Sequence, residues 1–325
     1  MATTLATASA AIDVRALVRK NSALIALLVL VLLVGAKEPG FLSPTNLMEM
    51  VSDTTTLFLM AAGATFVIML GSIDLSIQAV ASLASVVVAA LLPGWGPWAI
   101  PVALLAGALS GLLCGWTHTR LRIPSFIATL AVSGVVVSLS FWFSNEASIG
   151  IKNSHRAAWL AWASGQSFGI RHEVIVAACA LLLLVFVQRR TVFGRLVEAI
   201  GHGARAALAS GIKVDRVKLG VFVLSGLFAA LAGVVFAARL ESGSPTLANE
   251  FLLPSIAAIV VGGTALTGGV GGVWQTFLGA LIVSVLRIGM TFVGVSVFAQ
   301  QIVFGVVLVL AVAFTIDHSR IKIVK

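Results

Sequence analysis

Charge is scarce in this sequence: only 10% of its 325 residues are Asp, Glu, Lys or Arg, against about a quarter in soluble globular chains. That scarcity excludes a soluble enzyme, and a hydrophobic content of 59% excludes a disordered chain. Cysteine is nearly absent. Cys114 and Cys179 each sit inside a long apolar run, without CxxC or metal-type spacing, and read as buried packing residues. The five histidines are scattered, and no HExxH, GxSxG or carboxylate pair supports an enzyme. No GxxxxGK(S/T) occurs either, so any ATP chemistry belongs to another chain. The sequence therefore offers no catalytic, cofactor-binding or metal-binding residue.

What is present is long hydrophobic runs, with a mean hydropathy of +1.10. One bilayer crossing takes roughly 20 apolar residues, and the composition suggests on the order of eight to ten crossings. Charge-free stretches mark ten: 22–36, 55–70, 77–92, 98–117, 123–144, 173–187, 217–237, 251–266, 273–293 and 296–314. The windows 55–70 and 251–266 are short or glycine-interrupted. Arg15, Arg19 and Lys20 precede the first run and resemble a signal-peptide n-region, but with nine further runs an uncleaved first span is expected. Trp95, Trp98, Trp142 and Trp274 fall near span ends, as interfacial aromatics do. The expectation is an all-α integral membrane protein, one polytopic helical bundle over 1–325 with broken helices.

The formal charge of +9 and pI near 10.6 raise nucleic-acid binding as a question. Mapping the charges answers it. With ten spans and a cytoplasmic N-terminus, fifteen of the 21 Lys and Arg fall on the cytoplasmic side, five on the outer side, and only Arg287 inside a span. Both termini come out cytoplasmic, as segments 1–21 and 315–325. The basic balance is thus an orientation signal, and nucleic acid is not needed to explain it.

Three elements stand out. The first is the cytoplasmic loop 188–218, where Ala199 and Ile200, then Ala206, Ala207 and Ala209, can form short amphipathic helices between Gly201, Gly203 and Gly211. It reads either as a docking surface for a partner or as a topogenic basic loop. The second is Gly71-Ser72-Ile73-Asp74-Leu75-Ser76, a polar break between apolar runs. Asp74 reads either as a cap, with Ser76, on the helix starting near Ile77 or as a substrate or proton contact. The third is the stretch 258–281, where six glycines interrupt two runs. It reads either as a broken helix lining a transport path or as a tight turn permitting close packing. Arg287 is expected to snorkel to the outer face, with pairing to a distant acid or lining a polar path as alternatives.

In this order, the elements resemble the permease subunits of bacterial sugar importers of the ATP-binding cassette class, the ribose/xylose/galactose branch. Residues 71–76 are similar to the family's G-(G/S)-I-D-L-S, and Ile123–Leu130 to its (V/I)-P-x-F-I-A-T-L. Phe193-Gly194-Arg195, Ala199-Ile200-Gly201, Ala206 and Ser210-Gly211-Ile212 match the cytoplasmic pattern. Val221–Leu240 and the glycine-rich stretch complete a likeness running from about 41 to 314.

The resemblance implies two permease subunits in a lipid bilayer, an ATPase subunit carrying ATP and Mg, and a periplasmic sugar-binding protein. It implies a coupling loop of Gly194, Arg195, Glu198, Ala199, Ile200, Gly201, Arg205, Ala206, Ser210 and Gly211. It also implies a translocation path or gate among Asp74, Ser76, Phe126, Thr129, Thr264, Thr267 and Arg287. Two departures are visible: Gly201-His202-Gly203-Ala204-Arg205 lacks the acidic residue many relatives carry after the AIG, and Arg287-Ile288 replaces an Asn pair. The arginine suggests an acidic sugar derivative. The rivals are an ion-coupled secondary transporter, for which Asp74 is the only obvious carrier, a branched-chain amino-acid permease of the same broad superfamily, and an integral-membrane enzyme.

Overall fold

The structure, a computed structural model, describes residues 22–37 and 39–315, and nearly all of them are helical. The expected cytoplasmic segment 1–21 and all but the first residue of the tail 315–325 lie outside the described residues. In chain order the helices are α1 (Ser22–Lys37), α2 (Pro44–Met69), α3 (Ile77–Trp95), α4 (Ala99–Arg120), α5 (Ser125–Ser144), α6 (Asn153–Trp159), α7 (Ala161–Ser164), α8 (His172–Arg190), α9 (Val192–His202), α10 (Ala204–Ala209), α11 (Val214–Leu240), α12 (Leu252–Val261), α13 (Val273–Phe292) and α14 (Val297–Thr315).

Among the described residues, six helical segments are long and apolar enough to cross a membrane: Pro44–Met69, Ile77–Arg120, Ser125–Ser144, His172–Arg190, Val214–Leu240 and Val273–Phe292. The 44-residue segment is α3 and α4, joined through a 3-10 turn at Gly96–Trp98. Shorter apolar helices occupy Leu27–Lys37, Asn249–Val261 and Val297–Leu310.

Two boundaries differ from expectation for identifiable reasons. The window 55–70 belongs to a 26-residue helix, capped by Ser43 Oγ accepting from Asn46 N–H at 3.3 Å, with Pro44 at its first turn. Its first part carries Glu49 and Asp53, whose charges argue against a span; the fold accommodates them by pairing Glu49 with Arg171 of the 170–171 strand and Asp53 with Arg239 and Arg287 of other helices. The window 251–266 shrinks to ten helical residues, because the chain leaves the helix at Gly262 and runs through a loop to Gly272.

Helix α11 is the spine of the bundle, packed against α2, α3 and α4. Gly107 and Gly111 of α4 face Gly226 and the Phe222 carbonyl of α11 so closely that a methyl on either glycine would collide with backbone. Lipid supplies no hydrophobic drive between helices, so such small-residue seams bring the backbones into van der Waals contact. By contrast, α5 and α8 leave much of their apolar surface exposed: Leu130, Val135 and Leu139 on one, Leu182, Leu183 and Phe186 on the other. Cys179, expected to be buried, is on this exposed face of α8, whereas Cys114 is buried. Trp95, Trp98, Trp142 and Trp274 are all exposed near helix ends.

The connections gather at two ends. At one end Ile149–Gly150 pairs antiparallel with Ser242–Gly243, and Gln166–Ser167 with Ile170–Arg171 in a hairpin. At the other end lie the 70–76 break, the turn after α4, the α8–α11 connection and the 262–272 loop.

Candidate translocation and coupling site

The three elements singled out from sequence meet at one point. The main-chain oxygen of Met69, one of the carbonyls left over at the end of α2, accepts a hydrogen bond of 2.9 Å from Gly269 N–H. Gly201, at the end of α9, sits against both groups: a methyl there would collide with the Met69 carbonyl and the Gly269 amide. Gly268 packs on the backbone of Gly71 in the same way. A loop near the α9–α10 corner thus touches both breaks through bare backbone.

The glycine-rich stretch is a tight turn between α12 and α13. Gly263, Gly268, Gly269 and Gly271 all adopt positive φ, a region other L residues rarely enter. Thr264 Oγ1 accepts from Gly272 N–H at 3.2 Å. Gln188, the last uncharged residue of α8, threads the loop. Its Oε1 accepts from Val273 N–H at 2.9 Å and its Nε2 donates to the Gly271 carbonyl at 3.1 Å. Thr267 is exposed at the turn, its main chain beside Gly71.

Asp74 is buried at 3% exposure and holds the other break in place. Its Oδ1 accepts from Ser76 N–H at 2.9 Å and Ser76 Oγ at 2.6 Å, and its Oδ2 accepts from Ser225 Oγ of α11 at 2.7 Å. Ser76 occupies the N-cap position of α3 without a side-chain cap bond, so the expected Ser76 cap is replaced by a local Asp–Ser turn pinned to α11. From α5, Ser125 Oγ accepts from Ile73 N–H and Thr129 Oγ1 from Leu75 N–H, at 3.0 and 3.1 Å. Burial pushes the Asp74 carboxyl above the usual carboxylate range, against the opposite pull of the two serines. Phe126 is exposed on α5.

The residues expected to form the coupling loop divide by face. Gly194, whose N–H donates to the N-cap Thr191 Oγ1 at 3.3 Å, and Ile200 face inward. Arg195, Glu198, Ala199, Arg205, Ala206, Ser210 and Gly211 are exposed. Beside α10 runs an open groove of ≈ 770 Å³ whose wall carries Arg120, Arg122, Arg205, Lys213, Arg216 and Lys218 against the single acid Asp215.

Arg287 is far from this point and is not a lone snorkelling cation. Its Nη2 reaches Asp53 Oδ2 at 2.6 Å, while Arg239 Nη2 holds Oδ1 of the same carboxylate at 2.9 Å. Each guanidinium also lies over a ring, Arg287 on Phe251 at 4.9 Å and Arg239 on Phe236 at 5.1 Å. Asp53 and Met69 are sixteen residues apart on α2, about 24 Å of helix, so the arginine cluster and the glycine joint occupy opposite ends of the bundle. Gln188, Ser225 and Asp53 escaped the sequence reading. Each is a single polar residue whose partner is distant in the chain.

Known proteins place this architecture. The family model described as "Branched-chain amino acid transport system / permease component" matches residues 46–312. The chain is 37% identical over 291 residues to the probable ABC transporter permease protein YphD of Escherichia coli K12, covering 89% of this chain and 87% of that protein. It is 36% identical over 297 residues to the ribose import permease protein RbsC of Bacillus subtilis, covering 90% and 92%. It is 33% identical over 300 residues to the L-arabinose ABC transporter permease protein AraH of Azospirillum brasilense, covering 92% and 88%. A match over most of the chain, on a bundle of long apolar helices, shows that this protein belongs to the membrane permease components of that transport family.

Proposed function

We propose that this chain is the multi-pass inner-membrane permease of an ATP-binding cassette importer, translocating a monosaccharide or related polyol. The observation that carries the reading is the convergence of the α9–α10 corner, Gly71 and the 262–272 loop on the Met69 carbonyl. A partner ATPase seated on the exposed faces of α9 and α10 would push directly on the ends of α2 and α13. The backbone contact leaves little slack, so movement passes as rigid-body displacement. The basic groove beside α10 suits an acidic ATPase surface. The ribose and arabinose permeases among its relatives support sugar over branched-chain amino acids.

In this reading ten apolar helices cross the bilayer, with both termini and the coupling end cytoplasmic. Two permease subunits line the path, and a periplasmic binding protein delivers substrate to the opposite end. ATP and Mg bind the ATPase. Asp74, held by two serines at the coupling end, keeps the joint in register and carries no coupling proton. Arg287 is paired with Asp53 and shares its pocket with Glu250, so it is not a free cation awaiting an acidic substrate. Affinity purification of the tagged chain from its native membrane tests this: an ATPase of the cassette class copurifies, and Arg195→Glu with Arg205→Glu releases it. Purification without any ATPase contradicts the reading.

A further inference from the structure

A cavity of ≈ 290 Å³ lies at the end of the bundle away from the coupling loop, beneath the 166–171 hairpin. Arg156, Arg171, Glu173, Arg239, Gln166 and Ser164 line it. Its size is at the small end of ligand cavities. Glu173 is 2% exposed, and its Oε2 has no hydrogen-bond partner among the described residues. A buried carboxylate oxygen is among the costlier groups to leave unsatisfied, and native proteins rarely do so without a functional reason.

The charges around the cavity balance. Arg156 pairs with Glu241 at 2.6 Å, Arg239 with Asp53 at 2.9 Å, and Arg171 with Glu49 and, at 3.8 Å, Glu173. Arg287 shares Asp53 with Arg239, so four guanidiniums meet four carboxylates and no positive surplus remains for an anion. Each guanidinium has five N–H donors, and these pairs occupy only some of them. A carboxylate oxygen and the Ser52 hydroxyl beside it, both short of well-placed protein partners, with spare donors around them and no positive surplus, describe a pocket for a neutral solute rich in hydroxyls.

We propose that this cavity is a binding site for an uncharged monosaccharide or polyol on the permease itself, independent of the binding protein. Glu173 Oε2 accepts from one hydroxyl, while the arginines and Gln166 donate to others. The inference rests on the sugar-permease reading above and adds a solute site to it.

The test uses the full chain in lipid nanodiscs, without ATPase, ATP or binding protein. Radiolabelled ribose, arabinose, xylose and glucose are titrated by scintillation proximity, with glucuronate as competitor. At least one uncharged sugar binds saturably, Glu173→Gln weakens it about tenfold, and glucuronate fails to compete. Gln166→Ala, at an exposed position, weakens it about threefold and keeps the test valid if the Glu173 variant misfolds. Binding unchanged in both variants, no binding, or preference for glucuronate overturns the proposal. Uptake by the chain reassembled with its ATPase and binding protein separates the two readings: monosaccharide uptake without binding at this pocket sinks the pocket alone, and absence of any monosaccharide uptake sinks the sugar reading as well.

Discussion

One buried carboxylate, Asp74, and one half-buried, Asp53, set what single residues contribute here, and each is held by different chemistry. Asp74 satisfies Ser76 and Ser225, so Asp74→Ala strands three donors and lowers stability by about 2–3 kcal/mol. Asp74→Asn keeps an acceptor and costs about 1 kcal/mol; thermal melting in detergent ranks the pair. The folded carboxyl titrates above its unfolded value, so the fold favours its protonated form. The stability it lends is present below the ordinary carboxylate range and is lost as pH rises toward the folded pKa. Asp74→Asn removes that dependence, and melting curves across the acid range check it. Asp53 holds Arg239 and Arg287 together, both partly buried. Asp53→Asn leaves two cations facing one another and destabilises by about 3 kcal/mol, more than Arg287→Gln, which leaves the Arg239 pair intact. A melt order reversed between those two variants contradicts the shared-carboxylate account. Asp74 was legible in the sequence because it is the lone acid between Asp53 and Glu146; its partner Ser225 was not, since one serine in an apolar run carries no signal of what it faces.

At the scale of elements, glycine does two jobs that a periodicity argument cannot separate. Gly107 and Gly111 are contact glycines at the α4–α11 seam, so Gly107→Leu forces the helices apart and the protein fails to accumulate in the membrane. Gly134 of α5 has no neighbour where a side chain would go, and Gly134→Leu accumulates normally. Immunoblots of membrane fractions distinguish them. Gly201 tests the joint: Gly201→Val wedges the α9–α10 corner off Met69 and Gly269. The variant retains its ATPase, since the exposed docking faces are untouched, but transport falls at least about tenfold, as expected when a close-packed lever is displaced. Normal transport by that variant would remove the joint from the mechanism. The glycine cluster itself was visible in the sequence. That it forms a turn follows from positive φ at four of its glycines, and that it meets Gly201 follows from helix crossings no local pattern encodes.

For the whole molecule, hydrophobic runs locate helices well because lipid-facing and core-facing surfaces are both apolar, leaving charge as the punctuation. The same rule misplaced the start of α2. Glu49 and Asp53 punctuate that stretch as charges do in a loop, yet both are helical and paired with arginines from elsewhere in the fold. The positive charge that first raised nucleic acid is concentrated on the coupling end, where it lines the groove beside α10. In the proposed function, that concentration, the backbone joint and the exposed faces of α9 and α10 make a permease driven from outside itself. Reconstitution into proteoliposomes tests this most directly, by following radiolabelled monosaccharide with and without the copurified ATPase and binding protein, under an imposed proton gradient or under ATP. Uptake that requires ATP and the ATPase and ignores the proton gradient is the predicted result; gradient-driven uptake by this chain alone would contradict it.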